Sequence, residues 1–121
     1  MRFGTAQLVA FVPATDLERA RDFYEGVLGL TLTGIDAFAC VFDVGGTTLR
    51  VTKVDELRPH PFTVLGWQVP DIDAAVATTP VAFLRFEGME QDERGVWTAP
   101  GGARVAWFTD PDGNTLSFSQ H

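Results

Sequence analysis

Apolar and polar positions alternate in short runs along most of this chain, and two stretches switch to helical spacing. Residues 7–12 (QLVAFV) are rich in strand formers and are closed by Pro13, which predicts a first strand. TDLERARDFYEGVLGL follows. Thr15 and Glu18 have capping-box spacing, and Asp16 stands at the positive end of the expected helix. Leu17, Ala20, Tyr24, Val27 and Leu28 recur on one helical face, and Gly29 is placed to stop the helix. Strands are predicted at 30–34, 37–43 and 47–53, the last two joined through Val44-Gly45-Gly46. DELRPHP at 55–61 reads as a linker between two halves. The second half repeats the order: a strand at 62–69, a helix from near Asp71, then strands near 81–87, 95–99, 103–109 and 114–120. Pro80 must end the second helix by about Thr79, so that helix is short and part of the sheet face behind it needs another cover.

The two halves resemble each other. VAFVPATDLERA (9–20) aligns with VLGWQVPDIDAA (64–75), each opening on a valine seven residues before a helix-opening aspartate. FDVGGTTLRV (42–51) aligns with TDPDGNTLSF (109–118), which matches Gly46 to Gly113, Leu49 to Leu116 and Arg50 to Ser117. Each half is therefore a βαβββ unit. A unit of about 55 residues buries little surface alone. Two such units side by side can share one curved mixed sheet around a cavity, with the helices outside. The expected fold class is α+β, one domain over 1–121, with module one about 3–54, the linker at 55–61 and module two about 62–121.

Composition narrows the function. The 121 residues are 45% hydrophobic and 21% charged, which suits a globular core. Cys40 is the single cysteine, so no internal disulfide is expected and a reducing, cytoplasmic setting is. No apolar run is long enough to span a bilayer, and the first residues lack the pattern of a cleaved signal. The formal net charge of −7 argues against nucleic acid and anionic membrane as partners.

FVPATDLERARDFYEGVLGL (11–30), GWQVPDIDAAV (66–76) and WFTDPDGNTLSF (107–118) together resemble the vicinal-oxygen-chelate superfamily, also called the glyoxalase/bleomycin-resistance/dioxygenase family. The resemblance covers nearly the whole chain. It implies paired βαβββ modules and, at this length, a homodimer with cavities that can be completed across the interface. In metal-dependent relatives the ligands stand on the first and last strand of each module. Carried onto this chain, those positions are Val9, Val64, Arg50 and Ser117. Two are aliphatic, one is a permanent cation and one is a neutral hydroxyl, so no metal and no other cofactor is expected. His60 and His121 are the only histidines, and neither comes with partners.

Strand alternation turns Gln7, Val9 and Phe11, then Phe62, Val64 and Gln68, toward the expected cavity. It does the same for Thr48, Arg50 and Thr52 and for Thr115, Ser117 and Ser119. Phe38, Phe42, Trp97 and Trp107 are candidates for stacking on a planar ligand, and Cys40 shares the parity of Phe38 and Phe42. Arg50 would clamp an anionic group on the ligand. The expected function is metal-independent binding or sequestration of a small organic ligand in an aromatic-lined cavity. The alternative is a glyoxalase-like lyase or isomerase, or a dioxygenase-like enzyme, with a divergent site. Glu87, Glu90 and Asp43 are the acids available to such an enzyme.

Overall fold

The computed structural model describes residues 1–121 and divides into two compact units, Met1–Leu57 and Arg58–His121. In the first unit, β1 (Val9–Ala14) leads through α1 (Leu17–Arg21) to β2 (Thr31–Ile35), β3 (Ala39–Val44) and β4 (Thr47–Lys53). In the second, β5 (Thr63–Gln68) and α2 (Ile72–Thr78) precede β6 (Trp97–Thr98), β7 (Arg104–Thr109) and β8 (Thr115–Gln120). The strands make two four-stranded mixed sheets, ordered β1-β4-β3-β2 and β5-β8-β7-β6, rather than one continuous sheet. In each, the last strand returns antiparallel to its predecessor and lies parallel to the first. This is the repeated βαβββ arrangement of an α+β fold. No helix is long and apolar enough to cross a membrane.

The internal repeat has a local physical basis. Asp16 and Asp71 both have extended backbone and cap their helices, each accepting at 3.1 Å from the amide three residues on, Arg19 and Ala74. Gly46 and Gly113 both adopt φ 88°, a left-handed turn that a side chain resists, and both deliver the chain into the module's last strand. Before Gly113, the Asp110 side chain accepts from the amides of Asp112 and Asn114 at 3.0 and 2.9 Å and from the Asn114 side chain at 2.8 Å. The DPDGN segment is thus a turn held by its own aspartate.

The first helix differs from its expected form. α1 stops at Arg21, and Asp22–Val27 continues as a wider π-helical segment, with the Leu28 amide bonding Phe23 O at 3.0 Å. The widened turn buries two consecutive aromatics, Phe23 and Tyr24, whereas Val27, expected on the buried face, is exposed. Tyr24 meets Phe23 edge-on at 5.2 Å and lies 6.1 Å from Phe42. The first core consists of these rings with Val12, Ala20, Leu49 and Val51.

In the second unit, α2 ends at Thr78, as Pro80 requires. The strand expected near 81–87 is absent. Residues 79–90 form no strand, and of the expected 95–99 only Trp97–Thr98 is extended in register. The cover that the short helix leaves open is supplied by this irregular segment. Phe83 lies 5.7 Å from Phe108 and 6.2 Å from Phe118, rings that share the sheet's inner face with Leu116 above Ile72 and Val76.

Candidate functional site

The second sheet has two faces of different chemistry. Ala106, Phe108, Leu116 and Phe118 are buried beside α2. The alternate positions Trp107, Thr115 and Ser117 stand on the opposite face, where Trp107 pairs with Ser117 and Ser117 with Gly66. A β-bulge lies between Thr63 and Leu65. The extra residue, Val64, falls out of the ladder, and Thr63 becomes the partner of Thr115 on the open face. Trp107 Nε1 donates to Thr63 Oγ1 at 3.1 Å. Alternation alone assigned that position to Val64, and no residue type in PFTVLGW announces a bulge.

Around Trp107 the rings form a wall. Phe86 meets it edge-on at 5.3 Å and 88°, and Trp97 lies at 6.0 Å. Phe86 and Trp107 border a cleft of about 480 Å³ lined also by Phe62, Thr63, Glu87 and Thr115, with Pro61, Gly88 and Met89 completing it. His60 stacks parallel on Phe62 at 5.4 Å. Phe86–Met89 is a tight turn in which the Met89 amide bonds Phe86 O at 3.2 Å, and Gly88 takes φ 81°. The lining is mostly apolar, with two hydroxyls and one carboxylate, Glu87, as its only charge. Such a cleft can hold a small ring system and offer it stacking surface and a few polar contacts.

Trp107 lines this cleft, and so do Phe62 and Thr115, which alternation turns toward the expected cavity, and Glu87, one of the candidate acids. Thr63, Phe86 and Met89 line it too and were missed: Thr63 because of the bulge, the other two because they lie in a segment with no periodicity. Val64 is 41% exposed at the bulge and is not part of the lining. Ser117 is 8% exposed, and its Oγ lies 2.7 Å from where a Cβ at Gly66 would stand, so it is packed against the neighbouring strand.

The first unit's open face holds the other candidates. Phe11 pairs with Arg50, which pairs with Val41 on its other side. Val9 and Phe11 are exposed on this face. Gln7 is also exposed, and its Nε2 donates to Gly46 O at 2.6 Å, so this amide fastens the chain before β1 to the β3–β4 turn. Arg50 is half-buried, and its charge acts through space on Asp36. The Asp36 carboxyl is held below its ordinary range chiefly by the amides of Phe38 and Ala39, and Arg50 adds to this. Phe38 is exposed in the bend before β3. Phe42 needs correction: it is wholly buried against Tyr24 on the helix side. Cys40 shares that side, with its Sγ 3.6 Å from Leu17 O, and burial raises its thiol pKa. Parity from Phe38 misleads here because the strand begins only at Ala39.

The donor set for the metal that the family resemblance implies does not fit. Val9 and Val64 have no donor atom, Arg50 is cationic, and Ser117 is closed in by the strand beside it. Nowhere in the fold do three His, Cys, Asp or Glu side chains come together as a metal would need.

A family model described as the Glyoxalase/Bleomycin resistance protein/Dioxygenase superfamily matches residues 6–118. Among solved structures, a glyoxalase/bleomycin resistance protein/dioxygenase from Alicyclobacillus acidocaldarius is 24% identical, with a TM-score of 0.68 over 100% of this chain and 95% of that one. A superfamily member from Sphaerobacter thermophilus is 23% identical, with a TM-score of 0.75 over 99% and 100%. A lactoylglutathione lyase from Agrobacterium tumefaciens is 19% identical, with a TM-score of 0.65 over 96% and 93%. At these identities the likeness is one of fold.

Proposed function

The chain belongs to the glyoxalase/bleomycin resistance protein/dioxygenase superfamily, and within it we propose that this protein binds a small aromatic ligand without a metal. The observation that carries this reading is the cleft beside Trp107, where Phe62, Phe86 and the indole present ring surface around about 480 Å³. That volume is within the range of small-molecule sites. Stacking and apolar burial supply the affinity, and the Thr63 and Thr115 hydroxyls orient the ligand. The only charged lining group is Glu87, so this cleft favours a neutral or cationic ligand. An anionic ligand, the class Arg50 suggests, would depend on that residue, which is not in the lining. The single, buried, unpaired cysteine suits a cytoplasmic setting.

The test uses N-phenyl-1-naphthylamine, a neutral planar probe. Its titration should quench tryptophan emission, and Trp107→Ala should weaken binding at least about tenfold, a loss of about 1.4 kcal/mol. Binding should survive exhaustive chelation. Protein purified with stoichiometric divalent metal, whose probe binding disappears on chelation, would overturn metal independence.

A second reading is favoured by Glu87, a carboxylate in the cleft wall. It is the one lining group that could move a proton in a lyase or isomerase reaction, and one neighbour of the fold is named a lactoylglutathione lyase. Turnover that Glu87→Gln abolishes while probe affinity is unchanged would establish that reading over simple binding.

A further inference from the structure

The wall of the cleft has little regular structure to hold it. Residues 82–90 carry Phe86, Glu87, Gly88 and Met89 into the lining, yet form neither helix nor strand. On its far side, Gly88–Asp92 borders a second, more polar cleft with Val96 and Trp97, so the wall is one segment thick. Two side chains tie it together: Arg85 donates to Gln91 O at 3.4 Å and to Glu93 O at 2.7 Å, and Gln91 makes the more central contacts. Gln91 Nε2 donates to Leu84 O and to Gly95 O, both at 2.8 Å, and Gln91 Oε1 accepts from the Phe86 amide at 2.8 Å. An amide has two donor hydrogens and one carbonyl oxygen, and all are used. The backbone of Gln91 also bridges to Trp97. Leu84 in turn bonds Trp107 O through its own amide at 2.7 Å, so the wall is tied to the strand that carries the cleft's central indole.

We infer that Gln91 is the positioning residue of the site: its side-chain amide fixes Phe86 and the 86–89 turn against Trp107 and thereby sets ligand affinity. This rests on the reading of the cleft as the binding site. Gln91 does not itself line that cleft, so it acts through the wall. A carboxylate in its place accepts from the Phe86 amide but donates nothing to Leu84 O and Gly95 O. Two carbonyls then face a negative charge, and the wall opens.

The experiment uses the full chain, N-phenyl-1-naphthylamine as probe, and the variants Gln91→Glu, Trp107→Ala and Asp71→Ala. Asp71 caps α2 and is outside the lining of both clefts, so Asp71→Ala reports on lost stability without altering the wall. Affinities are measured well below each variant's melting temperature. Gln91→Glu should bind about tenfold more weakly. Asp71→Ala should melt earlier and bind as the parent does. A second measurement needs no variant. Exchange of the Phe86 amide, whose acceptor is the Gln91 side chain, should slow further when the probe binds. Parent-like affinity in Gln91→Glu, an equal loss in Asp71→Ala, or Phe86 exchange indifferent to the probe would each overturn the role of Gln91. If Trp107→Ala keeps the parent's affinity, the cleft is not the binding site and both readings fall. If Trp107→Ala loses affinity and Gln91→Glu does not, only the inference about Gln91 fails.

Discussion

At the scale of the residue, chemistry here is decided by partners more than by type. Asp73 and Arg104 illustrate this. The guanidinium meets both carboxylate oxygens at 2.8 Å, and these hydrogen bonds hold the Asp73 carboxyl below its ordinary range. A carboxyl whose folded pKa is depressed stabilises the fold above its unfolded pKa, about 4, and that contribution disappears as pH falls through the lower folded value. Urea unfolding across this window should therefore show an acid limb that is shallower in Asp73→Asn, where Asp36 still contributes, the variant being the less stable at neutral pH. Both side chains are solvent-accessible, so the difference should be small and should shrink in high salt. An unchanged acid limb in Asp73→Asn would show that the pair contributes nothing. Arg50 shows the opposite dependence. Its position in the pattern marked it as unusual, but its use depends on what stands across its strand, Phe11 and Val41.

At the scale of the element, local signals set the helix starts, the end of α2 and the glycine turns, and tertiary packing set the irregular stretches. Asp16 and Asp71 cap α1 and α2 with the same geometry; the repeat aligns these two helix-opening aspartates, but the Thr15–Glu18 spacing points to Thr15 as the cap of α1, and the structure gives that role to Asp16. Replacing either with alanine should cost about 1 kcal/mol in urea unfolding. The double variant should lose the sum, because the caps share no partner. A cost within error of zero for either would show that water replaces the cap. The π-helical stretch after Arg21 had no signal of its own; it exists because Phe23 and Tyr24 are both drawn into one core. The same holds for residues 79–96. Their mixed composition fits no period, and Phe83, Phe86 and Gln91 acquire their places from the sheet they pack on or cover.

At the scale of the whole molecule, each unit leaves apolar side chains uncovered. Phe11 is 62% and Phe38 74% exposed in the first, and Phe62 is 58% exposed in the second. Where such side chains are contiguous, their exposure is what association between copies would cover. Together with the dimers usual in the resembled family, it leads us to expect a homodimer. Sedimentation equilibrium should give twice the chain mass, and Phe11→Glu or Phe38→Glu should shift the mass toward the monomer. A parent protein that sediments as a monomer at high concentration would remove this expectation.

The sequence by itself determined the repeated βαβββ order, the aspartates that open both helices, and the glycine turns into β4 and β8. All of these are written in short windows or in a comparison of one half with the other. Only the tertiary structure decided that Thr63 and not Val64 reaches the open face, that Phe42 belongs to the core, and that Phe86 and Glu87 stand over Trp107 on a wall held by Gln91. Alternation carries a side chain's face only while the ladder stays in register, so a single bulge, a strand starting one residue late, or a segment with no ladder erases it.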